Sequence, residues 1–134
     1  MTNEILEFLD KYPTFLATLG TCGNPRVRPF HSPLYMDNKL YFCTAKDKNL
    51  YKHISNHSGI ELSSCNNDGS AWLRIRGNAK FSDDLKVKEA MFNKYELVKN
   101  IYKDIHNPNF AVFYLENISV NLRDFNGKNE LIKE

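Results

Sequence analysis

Four of the five arginines stand as two i, i+2 pairs, Arg26/Arg28 and Arg74/Arg76, while thirteen lysines are scattered along the chain. Arginine is the side chain suited to planar, bidentate capture of an anion. A second feature points the same way. Leu40-Tyr-Phe-Cys-Thr44 reads as a strand, and a helix follows through Leu50, Tyr51 and Ile54 to about His57, with Asp47 able to cap it. Thr44 and Lys48 then flank a strand-to-helix turn. Such a turn aims free backbone N–H groups, the Thr44 hydroxyl and the Lys48 ammonium at one spot, and Arg28 on the preceding strand can reach it from the side. That is the donor set a phosphate monoester needs. Singly, Lys48 also reads as a solvated lysine at a helix start and Thr44 as a buried strand hydroxyl. The arginine pairs favour the anion site.

Other chemistries lack their residues. No Gly-x-Ser-x-Gly elbow, Gly-x-x-x-x-Gly-Lys loop or convincing Ser, His and Asp arrangement occurs. His53 and His57 stand i, i+4 on the expected helix without a third ligand in the same motif, so they read as a solvated helix face and no metal is expected. Cys22, Cys43 and Cys65 form no Cys-x-x-Cys pair; reduced thiols are expected, with Cys43 and Cys65 buried in apolar strands. A net charge of +2 is too small for general nucleic-acid binding. With no leader-like or membrane-spanning apolar run, a cytoplasmic protein with no membrane partner is expected.

The elements that must position these residues follow from periodicity and turn chemistry. Ile5, Leu6, Phe8 and Leu9 form a helical stripe over residues 3–11, and residues 13–19 read as a strand. The turn Gly20-Thr-Cys-Gly-Asn-Pro25 leads into an irregular strand over 26–36, interrupted by Pro29 and Pro33. A hairpin is expected from 59–65 and 70–81. Its second strand alternates Ala71, Leu73, Ile75, Gly77, Ala79 and Phe81 with Trp72, Arg74, Arg76, Asn78 and Lys80, giving one core face and one basic face. Ser82 reads as the cap of a helix that breaks near Tyr95. Strands over 110–115 and 118–125 precede a polar tail. Six or seven strands in 134 residues predict one mainly antiparallel β domain closed into a small barrel. Side chains fill so small a barrel, so a sizeable ligand must bind outside it.

Three stretches in order, Pro25-Arg-Val-Arg-Pro-Phe30, Leu40 to Leu50, and Trp72-Leu-Arg-Ile-Arg-Gly77, resemble the pyridoxamine 5'-phosphate oxidase-like FMN-binding split-barrel flavoproteins. From the N-terminal helix to Phe125 the chain is similar to the small bacterial branch grouped with nitroimidazole-resistance proteins. The resemblance implies an antiparallel split β-barrel with short flanking helices, spanning residues 1–134 as a single domain. It implies FMN, with its phosphate at Arg28, Thr44 and Lys48, and a homodimer carrying flavin at the subunit interface. Pro29, Phe30, Lys46, Asn49, Trp72 and Arg74 complete the expected cofactor contacts. Trp72 reads either as lying along the flavin or its dimer groove or as packed on a neighbouring helix, and Arg74 either as a contact or as half of an ion pair. His31 falls in the strand the family places beside the flavin ring.

The segment bearing a second tryptophan, with arginine and histidine residues, that oxidases of vitamin B6 use is not matched: Trp72 is the single tryptophan. The resemblance therefore implies fold, cofactor and dimer rather than that oxidase reaction. Two functions follow. One is a flavin-dependent oxidoreductase for a small oxidised molecule such as a nitroaromatic, a quinone or another flavin; the other is a flavin carrier or sensor without turnover.

Overall fold

The structure is a computed structural model and describes residues 1–134. Its first helix, α1 (Asn3–Lys11), starts where the Thr2 hydroxyl accepts from the Ile5 amide, and it buries Ile5 and Leu9. Tyr12 ends it, just before Pro13. The chain continues as β1 (Thr14–Leu19), β2 (Pro25–Pro29), β3 (Leu34–Met36), β4 (Lys39–Ala45), α2 (Asn49–Asn56), β5 (Gly59–Cys65) and β6 (Ala71–Ser82). Then come α3 (Leu85–Lys94), α4 (Glu96–Tyr102), β7 (Phe110–Asp124) and β8 (Asn129–Lys133). No helix is long and apolar enough to cross a membrane.

All strand pairs are antiparallel, in the order β2-β1-β5-β6-β7-β4-β3, with β8 added on β7. The two ends of that order, β2 and β3, are consecutive in the chain. The four residues Phe30 to Pro33 span the gap between them without joining either ladder, which leaves the sheet curled but unclosed. This is a split barrel. Pro29 and Pro33 flank the gap, and neither can donate to a ladder. Other bonds hold the segment: the Phe30 amide donates to the Thr14 carbonyl at 2.9 Å, the Thr14 hydroxyl donates to the Phe30 carbonyl, and the Cys43 amide donates to Ser32 Oγ at 3.1 Å. The Phe30 ring plugs the opening against Phe42 (5.5 Å) and Phe113 (6.1 Å).

Two cores lie on either side of β4. Leu40 and Phe42 face the larger one, with Ile5, Leu9, Leu50, Ile54 and the inner residues of β5, β6 and β7. Tyr41, Cys43 and Ala45 face the smaller one, beneath Val87, Met91, Val98 and Tyr102 of α3 and α4. Burying a large apolar side chain is worth about 1.5–3 kcal/mol, so a strand packed on both faces is a rigid support. The candidate site stands at its end.

Several sequence expectations are corrected. The stretch over 26–36 is two strands, because the proline-flanked segment leaves the ladder. Asp47 does not cap α2; its amide is held by Asn109 Oδ1 at 3.1 Å and the helix begins after Lys48. Ser82 ends β6, and Asp84 caps α3 by accepting from the Lys86 amide at 2.9 Å. The expected break at Tyr95 is present. The two strands expected over 110–115 and 118–125 are one, β7, which ends at Asp124: Asn117, at φ 52°, absorbs the irregularity opposite Gly77 and the ladder resumes. A side chain at Gly77 would meet the Glu116 carbonyl at 2.8 Å, which explains glycine there. The polar tail supplies β8, giving eight strands. Cys43 is buried as expected, but Cys65 is exposed because it falls on the outward phase of β5.

Candidate functional site

The split opens onto a cavity of about 690 Å³. One wall is β2 and the Phe30–Ser32 segment; the floor is Cys43 and Thr44; the far wall is the start of α2 with Val98, Ile101 and Tyr102 of α4. The turn between β4 and α2 is fixed by Asn109, whose carbonyl accepts from the Lys46 amide at 2.9 Å, and by the Lys48 amide donating to the Ala45 carbonyl at 3.1 Å. Lys48 occupies the cap position and no side chain caps the helix. First-turn amides of a helix lack internal acceptors, so an uncapped start presents donors and a partial positive charge.

Thr44 lies beside these donors. It is 3 % exposed, and its Oγ1 is a buried side-chain polar atom with no hydrogen-bond partner. Leaving such a group unsatisfied costs about 1–3 kcal/mol. A buried hydroxyl left free at a cavity floor, next to a lysine and an uncapped helix start, suits an oxygen-rich anion.

Arg28 closes the site from β2. Its Nη1 donates to Thr18 Oγ1 at 2.8 Å and to the Leu16 carbonyl at 3.3 Å, and its Nη2 reaches His53 Nδ1 at 3.1 Å. His53 Nδ1 also lies 2.9 Å from Thr18 Oγ1. Guanidinium groups only donate, so Nδ1 accepts and the ring proton belongs on Nε2. Burial lowers the pKa of His53, and the charges of Arg28 and Arg26 lower it further. Burial and then Arg26 lower that of Arg28. None of the five arginines forms an ion pair with a carboxylate.

His53 was expected on a solvated face and is instead buried. The signal was present: it stands at i+3 from Leu50, beside Ile54, on the stripe α2 turns to the core. His57 is exposed, and its Nδ1 accepts from the Gly59 amide at 3.2 Å.

Of the expected contacts, Arg28, Pro29, Phe30, Thr44, Lys48 and Asn49 all line this cavity. Lys46 does not; it borders a separate small cavity with Tyr51, Phe81 and Lys88. Trp72 and Arg74 lie on the outer sheet face. Trp72 packs on Phe125 (5.1 Å) with Arg123 over its ring at 6.0 Å. Arg74 has no ion pair and borders a shallow cavity with Arg76, Glu61 and Asn121. His31 stands at the mouth of the main cavity, edge-on to Tyr95 at 6.4 Å. Burial lowers its pKa, opposed by Asp10 and aided by Lys94. The Cys43 thiol on the floor is pushed up to about 11 by burial, which keeps it protonated at neutral pH.

The sequence model described as pyridoxamine 5'-phosphate oxidase matches residues 1–124. The chain belongs to this family. Among solved structures it is similar to a NimC/NimA family protein of Clostridium acetobutylicum, with 30% identity over 98% of this chain and 90% of that one, at a TM-score of 0.88. The general stress protein 26 of Bacillus anthracis shares the fold at 14% identity and a TM-score of 0.79, covering 98% of this chain and 96% of its own. A protein named F420 reductase, 16% identical, shares it at 0.65 over 89% of this chain and 98% of its own. No curated protein sequence matches significantly.

Proposed function

We propose that this family member binds FMN with its phosphate at Thr44, Lys48, Arg28 and the start of α2, and acts as a flavin-dependent oxidoreductase on a small oxidised molecule such as a nitroaromatic, a quinone or another flavin. The observation that carries the reading is the Thr44 hydroxyl, buried and unpartnered among cationic donors. A phosphate would satisfy it. Lys48 and Arg28 would supply charge, and Asn49 a first-turn amide. Bound flavin supplies hydride or electron transfer, so no catalytic triad is required of the chain. Pro29, Phe30 and the apolar side chains of α4 would fix the ring's position and exclude water.

The active form is a homodimer. Phe15, Ser63, Arg74, Asn121 and Leu131 follow one another across the outer face in register, and Phe15, Val27 and Leu131 are exposed there. A second copy on this face would cover those apolar groups and bring Trp72 and Arg74 toward a partner's cavity. The absorption spectrum of the purified protein, with mass analysis of what denaturation releases, tests the cofactor. A flavin spectrum and the mass of FMN are expected. A haem band or a deazaflavin mass would overturn the assignment. Steady-state oxidation of NADH or NADPH with nitroaromatic and quinone acceptors then tests turnover.

A further inference from the structure

His53 is 5 % exposed, lines the cavity, and has its Nδ1 between two donors, Arg28 Nη2 at 3.1 Å and Thr18 Oγ1 at 2.9 Å. Thr18 can serve both neighbours at once: its oxygen accepts from Arg28 Nη1 at 2.8 Å while its proton goes to the imidazole. The three groups form a closed triangle carried by three elements, β1, β2 and α2. Two of the guanidinium nitrogens are thereby fixed, while the side chain still borders the cavity.

The triangle works with one protonation state. Were Nδ1 protonated, it would offer N–H to a guanidinium that can only donate, and would set a second positive charge beside it. The charged groups facing His53 are Arg28 and Arg26, both from β2; β1 contributes only the neutral Thr18, and no carboxylate is within ion-pair distance. Nothing nearby would compensate an imidazolium in the ligand-free protein.

We propose that His53 is a positioning residue for the anion end of the cavity: its neutral imidazole, braced by Thr18, fixes the guanidinium of Arg28, and anion capture weakens when His53 takes up a proton. The identity of the anion rests on the FMN reading above. The coupling between His53 and Arg28 does not.

Two measurements separate these. The first is flavin-fluorescence titration with FMN, and with riboflavin as the phosphate-free control, at about pH 7.5 and at about one pH unit below the His53 midpoint that the second measurement gives, for the unmodified protein, His53→Gln and His53→Leu. Glutamine keeps an acceptor oxygen for Arg28 and does not titrate. At the higher pH, His53→Gln should bind FMN within about threefold of the unmodified protein and His53→Leu about tenfold more weakly. At the lower pH the unmodified protein should lose up to about tenfold beyond the change in His53→Gln, because one unit below its midpoint the ligand-free imidazole is about nine-tenths protonated. The phosphate's own ionisation near about pH 6 is common to both proteins and cancels. A shared pH profile for the two, or tighter FMN binding by the unmodified protein in acid, would overturn the proposal.

The second is NMR titration of His53 in ligand-free protein and in Arg28→Ala. His53 should titrate at a higher pH once Arg28 is gone, and an unmoved midpoint would overturn the coupling. If no form binds FMN yet the midpoint moves, the flavin reading falls and the coupling stands.

Discussion

The two arginine pairs have the same spacing and opposite fates. Arg26 and Arg28 lie opposite Thr18 and Leu16, the inward-facing residues of β1, on an edge strand beside the split. Arg74 and Arg76 lie opposite Ser63 and Glu61, on the outward phase in the middle of the sheet. Both members of the first pair therefore line the cavity, and Arg28 is held there by three bonds to Leu16, Thr18 and His53. The second pair borders the outer-face depression shared with Glu61 and Asn121, and neither of its members makes a side-chain hydrogen bond. Spacing puts both members of a pair on one face; only the register decides which face, and so whether a cation is positioned or merely displayed.

The largest effect should come from spoiling the outer face. Phe15→Asp would place a charge on both copies of the proposed two-fold interface, and self-association measured by light scattering should weaken by more than about a hundredfold. Unchanged dimerisation would move the interface elsewhere. Next in size is a contrast between the pairs. Arg28→Ala should weaken FMN binding about tenfold to a hundredfold in fluorescence titration, since a charged hydrogen bond is worth about 1.5–3 kcal/mol. Arg76→Ala should change it by less than about threefold. Equal losses would erase the distinction.

A smaller effect sharpens the site itself. Thr44→Val keeps the shape and deletes the unpartnered hydroxyl, so the ligand-free protein should gain about 1 kcal/mol in urea unfolding while FMN affinity falls about fivefold to tenfold. A loss of stability would mean that the hydroxyl has a protein partner. The smallest effect concerns acid. The folded pKa of His53 is depressed below its ordinary 6.5, so the unfolded chain takes up the proton first as pH falls. The associated stability is present above about pH 6.5 and is lost as pH falls toward and through the folded value. Urea midpoints of His53→Gln should show less of this decline than those of the unmodified protein.

The parts of the fold set by local chemistry were legible in the sequence. The alternation from Ala71 to Phe81, the break at Tyr95 and the strand, turn and helix around Thr44 are each written in neighbouring residues. Contacts between distant segments were not. Asn109 reaching back to hold Lys46 and Asp47 shifts the start of α2 and removes Asp47 as its cap. Asn117 carries β7 across what reads locally as a turn. Residue type and order single out Arg28, Thr44 and Lys48, and these three line one cavity. The i, i+4 pairing of His53 with His57 suggests a solvated face and masks the place of His53 on the buried stripe with Leu50 and Ile54. Trp72 and Arg74 belong to the outer face, because which face a strand residue takes depends on the register of the whole sheet and not on the motif around it.

A cavity whose Thr44 end is built for a phosphate should distinguish FMN from riboflavin, and the affinities of the unmodified protein for the two ligands measure that distinction. The two ligands share a ring and differ at that group. With Arg28, Lys48 and Thr44 all engaged, FMN should bind at least about a hundredfold more tightly. Equal affinities for FMN and riboflavin would contradict the account.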